Sequence, residues 1–186
     1  MSMRIGSGSF KGRKLAAPTG KDTRPLLALI KKSLFDILSP RMDGARVLDL
    51  YAGSGSFGFE ALSRGAGLVT AVEKHLLALR ALKENAEKMG AGEKFILLAR
   101  DADDAVRELA AQGGMFDIIF LDPPFAVPPP PSTLGGASGL LDAGGILVLR
   151  YPSARSLPKT MGVLALRRDK RYGISMVGFY SKEEKG

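Results

Sequence analysis

Apolar positions along this chain follow two alternating rhythms. From Arg46 onward, short runs of apolar residues are separated by stretches in which apolar side chains recur every three or four positions. Val47–Leu50, Leu68–Val72, Phe95–Ala99 and Phe116–Leu121 read as strands, the last apolar on both faces. Phe57–Arg64, Leu76–Met89 and Asp103–Ala111 carry the helical spacing. This alternation predicts a parallel sheet covered by helices on both sides. Gly145–Leu149 would add a fifth strand. Val163–Arg168 and Ile174–Tyr180 have no helix between them and predict a terminal antiparallel pair. Upstream, Arg4–Leu15 alternates small, basic and apolar residues around three glycines, as a short hairpin does. Thr23-Arg24-Pro25 then reads as a helix cap with Pro in the first turn, and Leu26, Ile30, Leu34 and Ile37 carry the helix to Pro40. The expected fold is α/β: a Rossmann-like, doubly wound, seven-stranded sheet with an antiparallel last strand, preceded by a β-hairpin arm. The expected division is a basic arm over residues 1–22 and one domain over residues 23–186.

Composition narrows the chemistry. The chain has 186 residues, no Cys and one His. A thiolate metal site or a disulfide framework is therefore excluded, and no metal is expected. No apolar run could span a bilayer and no signal-peptide core opens the chain, so a soluble cytoplasmic monomer is expected. The net charge of +8 is uneven: residues 1–44 and 150–186 are each +6, while residues 45–149 are −4. Basic ends around an acidic centre suggest a polyanionic partner touched by the ends. Arg4, Lys11, Arg13, Lys14 and Arg24 are the candidate phosphate contacts.

Val47–Gly58 is a strand that stops on a glycine turn and opens a helix. Gly53 and Gly55 let backbone approach a ligand closely. The G-x-G-x-x-G spacing of Gly53, Gly55 and Gly58 would also suit a dinucleotide. Asp49 argues otherwise, because a carboxylate at the strand end repels a pyrophosphate and welcomes a cationic amino group. S-adenosylmethionine is favoured over a nicotinamide cofactor. Glu73 ends the second strand, where an acid accepts both ribose hydroxyls. Asp101 follows the third strand, where the adenine amine would lie.

Asp122-Pro123-Pro124-Phe125 is the most specific run. The two prolines fix the backbone and remove N–H groups, leaving carbonyls as acceptors. Asp122 and the Pro123 carbonyl could both accept from an exocyclic amine, and Phe125 offers a stacking face for an extruded base.

The chain resembles the RsmD-like family of class I methyltransferases, which methylate the exocyclic N2 of one guanine in small-subunit ribosomal RNA. The likeness spans nearly the whole chain: Arg4-Ile5, Gly12–Leu15, Thr23–Pro25, Leu34–Leu38, Val47–Gly58, Glu60–Ala66, Val72-Glu73, Asn85, Phe116-Asp117 and Leu121–Phe125. Glu60–Ala66, directly after the glycine turn, points to this family in particular. The resemblance implies S-adenosylmethionine as cofactor, with ribosomal RNA, free or in an assembled or assembling small subunit, as partner. Asp49, Ala52, Gly53, Ser54, Gly55, Glu73, Lys74, Asp101, Ala102 and Asp122 form the expected cofactor site. Asp122, Pro123, Pro124 and Phe125 form the expected catalytic set. An adenine-N6 methyltransferase acting on DNA, and a non-catalytic RNA-binding protein of the same fold, are the alternatives. The chain departs from the family in three places. Leu26 stands where Thr is usual, and Arg150-Tyr151 where a Glu is usual. The third is Ala126–Gly139, a Pro-, Gly- and Ser-rich run whose composition argues against the helix that usually follows Phe125.

Overall fold

The computed structural model of the protein describes residues 3–17, 25–126 and 128–183. The hairpin strands are β1 (Met3–Arg4) and β2 (Lys14–Leu15), antiparallel, with Met3 opposite Leu15. After α1 (Pro25–Leu38), strand and helix alternate as β3 (Arg46–Leu50), α2 (Ser56–Ser63), β4 (Leu68–Glu73), α3 (Leu76–Met89), β5 (Phe95–Ala99), α4 (Ala102–Ala111) and β6 (Phe116–Leu121). Then come α5 (Pro131–Gly139), β7 (Leu141–Pro152), β8 (Thr160–Met161), β9 (Leu164–Tyr172) and β10 (Ser175–Lys182). The main sheet runs β5-β4-β3-β6-β7-β10-β9-β8. Strands β3 to β7 are parallel, and β10 inserts antiparallel between β7 and β9. The seven expected strands are present, and the two-residue β8 adds an eighth at the edge.

Period-two alternation sorts each strand's residues between two cores. Val47, Ile118, Phe120 and Val148 face the side of α1, α2 and α3, with Phe35, Phe59 and Leu82. Leu48, Leu50, Ile119, Leu121 and Leu149 face α4 and α5, with Val106 and Ala137. The hairpin joins the first of these cores, since Ile5 and Leu15 are buried in it.

Two expectations are corrected. A helix does follow the Pro-rich run: α5 spans Pro131–Gly139 despite four Gly or Ser residues after Thr133. Pro130 and Pro131 suit its start, where an N–H would be unpaired anyway. Packing then replaces propensity. Ala137 is buried, Gly136 lies where a Cβ would come within 2.4 Å of Val106, and Thr133 Oγ1 donates to Asp103 on α4. The fifth strand, expected over Gly145–Leu149, runs longer at both ends, from Leu141 to Pro152. The expected cap at Thr23-Arg24 and the arm's boundary at residue 22 lie outside the described residues.

Candidate active site

The site lies where the parallel strands end. The winding order of the sheet switches between β3 and β6, β4 and β5 lying to one side and β7 to the other, and the crevice beyond the carboxyl ends at such a switch is where ligands bind. Asp49 on β3 is fully buried on the α2 side. Its Oδ2 accepts from Gly58 N at 3.0 Å, tying the strand to the first turn of α2. Among the described residues, its Oδ1 has no hydrogen-bond partner. Burial pushes its carboxyl up to about 7, helped by the carboxylates of Asp122 and Glu73 and opposed by the Gly58 amide. Gly53 (φ 60°) and Gly55 (φ 78°) make the turn in the left-handed region. A Cβ on Gly55 would meet the Phe59 ring at 2.5 Å. Tyr51, just ahead of them, also has positive φ, 66°, a strained conformation for an aromatic residue.

Glu73 ends β4, buried, with its carboxylate fixed by three backbone donors. Oε2 accepts from Gly53 N at 2.9 Å, and Oε1 accepts from Lys74 N and His75 N. One carboxylate thus holds the glycine turn against the end of the neighbouring strand. Asp101 caps α4 through Asp103 N at 3.0 Å and pairs with Lys74 Nζ at 2.9 Å. That pair holds the Asp101 carboxyl below its usual range. Ala52, Ser54 and Ala102 are buried around the same turn and helix start.

Asp122-Pro-Pro-Phe125 leaves the carboxyl end of β6, next to β3 in the sheet. Pro123 is buried, Pro124 exposed and Phe125 half-buried. Leu121 pairs with Leu50, so the tip leaves β6 at the level where the glycine turn leaves β3. Arg150, on β7, fills the space before the tip. Its Nε donates to Asp122 Oδ1 at 2.5 Å, its guanidinium carbon lies 4.5 Å from the Phe125 ring centroid, and its Nη1 is 3.4 Å from Ser175 Oγ.

Known proteins match this chain along nearly its whole length. The family model described as Conserved hypothetical protein 95 matches residues 3–181. The Bacillus subtilis strain 168 protein YlbH is 36% identical over 182 residues, covering 97% of this chain and 99% of its own. Ribosomal RNA small subunit methyltransferase D of Escherichia coli K12 is 30% identical over 186 residues, covering 99% and 92%. The chain belongs to the RsmD-like methyltransferase family. The solved structure of Escherichia coli yhhF superposes with a TM-score of 0.85 at 30% identity, covering 98% of this chain and 99% of that one. S-adenosylmethionine is the methyl donor that this membership implies. The residues present fit it. Asp49 keeps a buried acceptor without a partner, and the space at the missing Gly53 Cβ is open, its nearest heavy atom 4.0 Å away.

The RsmD-like signature after the glycine turn also acquires a structural meaning. Glu60, fully buried, accepts from Gly6 N and Ser7 N of the hairpin, from Arg64 Nε, and from Lys31 Nζ at 3.1 Å. Ser63 Oγ accepts from Phe10 N at 2.9 Å. Asn85, buried on α3, accepts from Ala16 N and donates to Ala16 O and Ser54 O, linking the hairpin to the glycine turn. Motif likeness marks Glu60 and Asn85 in the sequence without assigning them work; their hairpin and turn partners lie 31 to 69 positions away.

Of the candidate phosphate contacts, Lys11 and Lys14 are exposed. Arg4 Nη1 donates to Gly12 O within the hairpin. Arg13 caps the end of α3 through Lys88 O and Met89 O, and lies over Phe10. Arg24 is outside the described residues. The site residue absent from the sequence-derived set is Arg150. Its signal in the sequence is a single basic residue at the end of the expected fifth strand.

Proposed function

We propose that this chain transfers a methyl group from S-adenosylmethionine to the exocyclic N2 of a guanine in small-subunit ribosomal RNA. The observation that carries the reading is the Asp122-Pro-Pro-Phe125 tip leaving β6 level with the glycine turn that follows β3, Leu121 being paired with Leu50. Bound S-adenosylmethionine supplies an electrophilic methyl. The chain's own residues bring the nucleophile to it. Asp122 and the Pro123 carbonyl accept the two amine hydrogens, which turns the nitrogen lone pair away from ring conjugation and toward the methyl. Phe125 stacks the extruded base, an interaction worth about 1–3 kcal/mol per base. Glu73 takes the ribose hydroxyls with the lone pairs left by its backbone donors, and Asp49 faces the ligand's amino group. The name of the Escherichia coli relative supports ribosomal RNA of the small subunit as the substrate.

The test is methyl transfer by Asp122→Ala. Its effect belongs to positioning of the nucleophile and falls on the transition state. Turnover should drop below a tenth of wild type while cofactor affinity, read by calorimetry, stays within about threefold. Retained turnover would reject the role of Asp122.

A further inference from the structure

Arg150 stands in the space where the proposed function puts the target base. It meets both members of the clamp, Asp122 by a hydrogen bond and Phe125 by the guanidinium carbon lying over its ring. A guanidinium is planar and carries N–H donors at its edge, so it offers this slot what an amine-bearing base would offer. The two cannot occupy it together. Arg150 and Asp122 are each less than one-fifth exposed at the side chain. Among the described residues, Asp122 is the carboxylate within ion-pair distance of Arg150; Ser175 is its other polar neighbour. Once a base claims Asp122, a half-buried cation loses its counter-charge, which is costly unless an anion replaces it. A nucleotide brings that anion with its base. Leu149 and Leu121 are in register on parallel strands, so Arg150, still within β7, lies level with Asp122 at the end of β6. A long, flexible side chain can therefore turn from the slot to its rim without backbone movement.

We propose that Arg150 is a substrate-binding residue that exchanges Asp122 for a backbone phosphate of the target nucleotide as the base enters. This inference rests on the proposed RNA-methyltransferase reading. The cation fills the slot until an RNA strand displaces it, and then holds that strand.

The experiment measures transfer of radiolabelled methyl from S-adenosylmethionine to small ribosomal subunits that lack the modification, over several salt concentrations. Wild type, Arg150→Gln and Arg150→Lys are compared. Arg150→Gln should raise KM for the subunit about tenfold, leave kcat within threefold, and flatten the plot of log KM against log salt by about 0.7, the value for one single-strand phosphate contact. Arg150→Lys keeps the charge and should keep the wild-type slope with an intermediate KM. A residue needed only for folding would lower kcat and melting temperature and leave the slope unchanged. A wild-type slope in Arg150→Gln, with wild type active, overturns the inference alone. Absence of transfer by wild type overturns the RNA reading and the inference with it.

Discussion

At the scale of single residues, Asp49 is the group whose behaviour is easiest to read out. With its carboxyl near 7 rather than 3.8, it is protonated in the empty protein on the acid side of neutrality. The native state then holds a proton that the unfolded chain has released, so this residue's contribution to stability declines as pH rises from about 4 through 7. A cationic ligand reverses the preference and draws the anion. Affinity for S-adenosylmethionine should therefore be about tenfold weaker at pH 6 than at pH 8, following the ionised fraction of a group titrating at about 7. Calorimetry on Asp49→Asn in the same buffers controls for the ligand's own amine; a variant with the wild-type pH profile would remove Asp49 from the cofactor site. Glu73→Ala should weaken the same ligand by roughly 1.5–3 kcal/mol, the range for hydrogen bonds to a charged group. Unchanged affinity would refute the ribose assignment.

At the scale of elements, the hairpin is the instructive case. Two strands of two residues cannot stand alone. They persist because Glu60 and Ser63 on α2 and Asn85 on α3 satisfy their amides, and Ile5 and Leu15 reach the core. Glu60→Ala would strand Lys31, whose side chain is 9% exposed, together with two hairpin amides. Removing one partner of a buried pair costs about 3–5 kcal/mol. At roughly 2–4 °C per kcal/mol for a domain of this size, melting should fall by at least about 6 °C. An unchanged melting temperature would mean that the hairpin is not held by Glu60. The strands and helices of the α/β alternation are legible because each has enough apolar residues at one period to outweigh its neighbours. Leu76–Met89 reads the same in sequence and structure, and the structure ends it on Gly90 in the left-handed region. α5 is illegible because its helix depends on Val106 and Asp103, which lie about thirty positions earlier. The cofactor crevice is legible because strand-end acids and glycines are fixed by short-range geometry. Arg150 is not, because its meaning comes from Asp122 on a neighbouring strand.

At the scale of the molecule, two basic ends flank an acidic middle, and the cations divide into those with internal work and those without. Arg13 spends its charge on the carbonyls of α3, whereas Lys11 and Lys14 stand in solvent. Changing Lys11, Lys14 and Arg24 together should flatten the salt dependence of RNA binding by about two log units per log unit of salt. Cofactor affinity should be unaffected. A wild-type slope would move the RNA contact to the C-terminal strands, where Arg167, Arg168, Lys170 and Arg171 are exposed along β9. Guanine methylation itself is decided by mass spectrometry of nucleosides, after incubating the chain and labelled S-adenosylmethionine with unmodified small-subunit RNA, intact subunits and DNA. Labelled N2-methylguanosine should appear from the ribosomal substrates and disappear with Asp122→Ala, and DNA should carry no label. Labelled N6-methyladenine, or no methylated nucleoside from any ribosomal substrate, would contradict the guanine-N2 reading.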